Sequence, residues 1–215
     1  MPSIHPSGSR SAAGGRTELV LYWIPLGAGT QVVRACGRAY ERLMALMQHR
    51  PPQELYHSAL VATVDGIATV IEMTPVPDSD GWSDRGVVAE APVGCRPAGR
   101  FRVFRYEIRR WQGGTIPDLA SAVGSPVPLT SDPALVMQAL AAVQSVPTAI
   151  WGRDELRAGE MWNSNSVVAW VLTQVGLIDR AGQPPRHGRA PGWDAGVSVG
   201  RRGLQDSPTL IGITS

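Results

Sequence analysis

The alternation of apolar and polar positions divides the chain into short runs of two kinds. Residues 19–26 are an unbroken apolar run, from Leu19 to Leu26, so residues 17–26 predict a first strand buried on both faces. Over residues 31–49 the apolar positions Val32, Val33, Cys36, Tyr40, Leu43, Met44 and Met47 recur at three and four. That spacing predicts a helix, with Thr30 as its N-cap and Pro51-Pro52 as its stop. Two β-rich runs, 55–64 and 67–74, flank the dipeptide Asp65-Gly66, the strongest short-range hairpin signal. Residues 86–91 and 101–111 predict two more strands, and the Gly- and Pro-rich stretch 113–128 predicts a loop. Ser131 or Asp132 caps a second helix running to about Val146, with Pro133 in its first turn. Residues 163–176 predict a third helix, closed by Gly176. After Asp179 the chain turns to Gly, Pro and Arg. Strand, helix, antiparallel meander, then helices is an α+β pattern. The expected organisation is a disordered segment over 1–16, one domain over 17–196 and a C-terminal tail over 197–215.

The hairpin can be carried to the level of side chains. With Asp65 and Gly66 as the two turn residues, Val64 pairs with Ile67 and His57 with Thr74. Alternation then puts His57, Ala59, Val61, Thr63, Ala68, Val70, Glu72 and Thr74 on one face. The other face carries Leu60, Val64, Ile67, Ile71 and Met73 and is the better core face. His57 and Glu72 are diagonal neighbours, and a carboxylate beside an imidazole fixes its tautomer and raises its basicity.

A second polar constellation lies a hundred residues on. Asn163-Ser164-Asn165-Ser166 precedes the apolar helix of Val167, Val168, Trp170, Val171 and Leu172. Ser and Asn are what a helix N-terminus wants as caps. The free N–H groups and dipole of such a terminus also stabilise a nucleophile or an oxyanion. One such residue is enough for capping; four in a row exceed it.

Composition removes several alternatives. The net charge of +2 gives no argument for a nucleic-acid partner. All twenty basic residues are Arg. Their cluster at Arg100, Arg102, Arg105, Arg109 and Arg110 falls on a strand pattern, and a solvated sheet edge explains it at least as well as a ligand site does. Two cysteines, Cys36 and Cys95, are too few for a disulfide framework or a zinc site, and no His has a partner at metal-ligand spacing. Gly27-Ala28-Gly29 lacks the spacing of a phosphate loop. No metal, no cofactor and no transmembrane segment are expected. The absence of an apolar leader predicts a cytoplasmic protein.

Together the Tyr56-His57 strand start, the acidic Glu72 on the next strand and the Asn163–Ser166 helix start resemble the circularly permuted branch of the NlpC/P60 (papain-like) superfamily. A bacterial subgroup with an Asn-Ser-Asn-Ser/Thr motif, followed by a Gly-Trp segment such as Pro191-Gly192-Trp193, is similar over residues 17–196. The resemblance implies a papain-like fold. It implies His57 as general base, Glu72 as its orienter, and Ser164 where the family carries its catalytic Cys; other alignments put Asn163 or Asn165 there. Asn163, Asn165 and Ser166 would bind substrate. The activity implied is a hydrolase or acyltransferase acting on a peptide, amide or acyl ligand. The missing thiol leaves open a second reading, a catalytically inactive binding module with the same fold. A serine hydroxyl, unlike a thiol, does not ionise usefully and depends wholly on its base.

Overall fold

The computed structural model describes residues 15–27, 41–76, 85–116, 118–124 and 126–206. The expected cap and apolar positions at Thr30, Val32, Val33, Cys36 and Tyr40, residues 1–14 of the segment expected to be disordered, and the last nine residues lie outside them. Residues 41–47 are helical, as the spacing predicts.

Six strands form one antiparallel sheet: β1 (Glu18–Pro25), β2 (Tyr56–Val64), β3 (Ile67–Pro75), β4 (Val87–Pro92), β5 (Arg105–Gln112) and β6 (Val127–Thr130), in the order β4-β5-β3-β2-β1-β6. The β2–β3 hairpin has the register set by its turn, Val64 opposite Ile67 and Leu60 opposite Ile71. Asp65 and Gly66 both take positive φ, 51° and 82°, the conformation of a two-residue turn that matches strand twist.

Three long helices follow: α1 (Pro133–Ala142), α2 (Ser164–Gln174) and α3 (Trp193–Asp206). The α1 cap is Asp132, which accepts the Ala134 N–H at 2.8 Å. Helix α2 packs on β2 and β3, α1 lies beside it, and α3 packs on α2. Enclosed in this way, α2 has no solvent side: every residue from Ser164 to Thr173 is buried. Val167, Val168, Val171 and Leu172 are fully buried, worth about 1.5–3 kcal/mol each. They join Leu19, Leu21, Leu60, Ile71 and Ile108 in the main core. The opposite face of the sheet carries a smaller cluster, Ile24, Ala59, Val70 and Ile116, covered by the segment that holds Leu119 and Ala122.

Three elements differ from the sequence expectation. Residues 193–206 form α3, so the expected boundary at 196 falls inside a helix. Its glycines lower helix propensity, yet they are what lets it pack: a Cβ on Gly196 would stand 2.2 Å from the Ser166 carbonyl oxygen, and one on Gly200 2.8 Å from Thr173 Cβ. The end of the expected 113–128 loop joins β1 as the short strand β6. Residues 101–104 are a 3-10 turn rather than strand, and β5 begins at Arg105. β5 is moreover an interior strand between β4 and β3, so the arginines on it are not a solvated edge.

Candidate functional site

The start of β2, the start of α2 and the segment entering α3 converge at one junction. Residues 189–192 run alongside the start of β2: the Tyr56 N–H donates to Arg189 O at 2.8 Å, and the Arg189 N–H donates to Glu54 O at 2.8 Å. Asn163 is the α2 N-cap. Its Oδ1 accepts from the backbone N–H groups of Asn165 and Ser166, at 2.9 and 3.3 Å, and Ser166 Oγ accepts in return from the Asn163 N–H at 3.0 Å. This is a capping box with Ser in place of the usual acid or amide.

The amide groups reach outward from there to the other two segments. Asn163 Nδ2 donates to Pro191 O at 2.8 Å. Asn165 Nδ2 donates to Tyr56 O at 3.0 Å and Pro191 O at 2.9 Å, and its Oδ1 accepts from Ser58 Oγ at 2.9 Å. Ser166 Oγ donates to Gly192 O at 2.8 Å. The Gly192 N–H donates to Glu160 Oε2 at 2.8 Å. Burial raises the Glu160 carboxyl above its ordinary range; the Gly192 N–H and Arg189 pull it back and Asp194 adds to the rise. Arg189 continues outward to Glu41, which is also paired with Arg50.

Asn163, Asn165 and Ser166, expected to bind substrate, therefore spend their side-chain hydrogen bonds on the fold. The hydroxyl of Ser164, first residue of α2 and 9% exposed, has no hydrogen-bond partner among the described residues. It is the one side chain of the four that makes no hydrogen bond to the rest of the described fold.

His57 is placed elsewhere. Ser58 faces α2 through its bond to Asn165, and successive strand residues face opposite ways. His57 is directly opposite Ile24, and Ile24 and Ala59 belong to the cluster on the far face of the sheet. The imidazole thus lies on the side that carries Ile116, Leu119 and Ala122, away from the side on which α2 packs. Burial there holds its pKa below the ordinary value of 6.5, opposed by the carboxylate of Asp118. The structure does not bring His57 and Ser164 together as base and nucleophile.

Glu72 shares that far face with His57, as alternation predicts, but its partner is Arg109. The two residues are directly opposed on β3 and β5, with Arg109 Nη1 3.2 Å from Glu72 Oε1. Direct cross-strand neighbours stand closer than diagonal ones, and a permanent cation outcompetes an imidazole. Arg109 also pairs with the fully buried Glu107, which Arg85 reaches at 2.9 Å. Burial raises the Glu107 carboxyl, but the two arginines more than reverse it and hold it below its ordinary range. Burial keeps Glu72 raised despite Arg109, and Glu107 adds to the rise.

The residue that sequence reasoning passed over is Ser58. The signal was present: Ser58 shares its face with Leu60, and a polar side chain on a core face requires a partner. Among the described residues no group of three or more His, Cys, Asp or Glu is arranged to hold a metal ion. No protein-family model, curated protein or solved structure matches the chain.

Proposed function

We propose that the domain is a catalytically inactive module of the permuted papain-like class, one that holds a peptide or acyl ligand without turning it over. The observation that carries this reading is the parity of β2. Where helix start meets strand, the side chains in contact are Asn165 and Ser58, neither of which titrates. The base that a serine nucleophile requires, His57, belongs to the opposite face. A serine hydroxyl at a helix N-terminus with no general base can donate or accept a hydrogen bond, but it cannot be deprotonated as a bond forms.

The reading is tested with a serine-reactive fluorophosphonate probe. Wild type is expected to stay unlabelled and to turn over neither peptide amides nor acyl esters, while N-acyl peptide amides raise its Tm. Labelling of wild type that disappears in both Ser164→Ala and His57→Ala would overturn it. That outcome would establish the second reading, a hydrolase or acyltransferase with Ser164 as nucleophile, which is favoured by the unengaged Ser164 hydroxyl at the N-terminus of α2.

A further inference from the structure

A cleft of about 520 Å³ opens where the start of β1, the edge strand β6, the first turn of α1 and the 3-10 turn Ile178–Ala181 meet. It lies at the other end of the sheet from the junction of β2 with α2. Glu18, in its wall, is opposite Thr63, which is about 23 Å along β2 from Tyr56. Three charged side chains line the cleft, Glu18, Asp132 and Arg180. Arg180 Nη1 donates to Leu129 O at 2.8 Å, which takes one of the five N–H donors of the guanidinium. Asp132 spends one carboxylate oxygen on the α1 cap. Glu18 pairs at 2.8 Å with the exposed Arg16, a surface pair of the kind that contributes little. Arg180 makes no ion pair among the described residues, although two carboxylates share the cleft with it. Opposite charges that line one cleft without neutralising each other leave both signs available to a ligand.

We propose that this cleft binds a short peptide, of dipeptide size, whose amino and carboxyl ends are both free. Arg180 takes the carboxylate, for which Nε and Nη2 remain as a bidentate pair of donors. The second oxygen of Asp132 and the carboxylate of Glu18 accept from the ammonium group. Pro128 and Leu135 give the cleft apolar wall for the side chains of the peptide. A lining of both signs selects against simpler ions: Glu18 and Asp132 repel a bare anion, and Arg180 repels a bare cation. The volume is also that of a small-molecule site rather than of a single ion. The Leu129 carbonyl holds the guanidinium and the α1 cap holds Asp132, so little side-chain freedom is lost on binding. This site is independent of the one proposed at the junction, where N-acyl peptide amides carry no charge at either end.

The experiment is an NMR titration of the isotope-labelled full chain with leucyl-leucine, its Nα-acetyl derivative and its C-terminal amide. The free dipeptide is expected to shift the backbone amides of Leu129, Thr130, Asp132 and Arg180, while those of Tyr56 and Asn165 stay in place. Blocking either end should weaken binding about tenfold, the loss of one charge-assisted contact. Asp132→Asn keeps a good N-cap, and it and Arg180→Gln should each lower affinity by about the same factor at unchanged Tm. The blocked dipeptides are compared on wild type, so the test stands even where a variant fails to fold. Equal affinity for free and blocked dipeptides overturns the proposal, as does the absence of shifts in these amides at the highest soluble concentration. Shifts at Tyr56 and Asn165 alone assign the dipeptide to the junction and overturn it as well. If the C-terminal amide and Arg180→Gln abolish binding while acetylation and Asp132→Asn leave it unchanged, the cleft is an anion site and the proposal fails.

Discussion

Replacing Asn165 with Ala tests whether the helix–strand junction is a structural clasp. Asn165 is 3% exposed and makes three side-chain hydrogen bonds, to Tyr56 O, Pro191 O and Ser58 Oγ. Pro191 O keeps the bond from Asn163 and loses little. Tyr56 O and Ser58 Oγ each lose a partner in a buried setting, at about 1–3 kcal/mol apiece. Because the Ser58 hydroxyl can rotate, we take the lower half of that range and expect about 3 kcal/mol in all. That is a large part of a domain stability of about 5–15 kcal/mol. With a urea m-value of about 2 kcal/mol/M, the midpoint falls by about 1.5 M at unchanged slope. Ser58→Ala alone should cost about 1 kcal/mol, and much less when Asn165 is already Ala, giving a coupling of at least about 0.5 kcal/mol. A single Asn165→Ala variant within about 0.5 kcal/mol of wild type, or strict additivity in the cycle, would refute the clasp.

Two further outcomes follow from the same geometry. Gly196→Ala places a Cβ against the Ser166 backbone at the α2–α3 contact, an overpacking expected to cost about 1–3 kcal/mol by urea denaturation; no loss would mean that the helices are less closely packed than described. The depressed pKa of His57 means that the unfolded chain binds its proton more readily than the folded one does. Stability from this group is therefore complete above the unfolded value of about 6.5 and declines as pH falls below it toward the folded value. Comparing urea midpoints at about pH 7.5 and 5.5, His57→Gln should reduce the loss seen in wild type; an identical loss would assign it to other groups.

The sequence by itself determined the local features whose cause is local. The Asp65-Gly66 turn allowed one hairpin register, and that register divided β2 and β3 into two faces. The polar run before Val167 marked the start of α2, since the cap is made by the side chain next to it. The same alternation already put His57 and Glu72 on the face away from Leu60 and Ile71. What it did not supply was where α2 would go. That helix is apolar all round, so it must be enclosed, and the side able to enclose it is the core face. Ser164 went with it, and His57 was left across the sheet.

Tertiary structure alone decided the rest, because the causes are non-local. Arg109 takes Glu72 through the pairing of β5 with β3, and nothing within either strand specifies that neighbour. Helix α3 exists because Gly196 and Gly200 meet the backbone and side chains of α2, against their intrinsic propensity. Residues 101–104 have a strand's composition, yet they fold into a turn whose apolar side chains remain in solvent. Short-range signals fix which way a side chain points along its own element; only packing decides what stands opposite it.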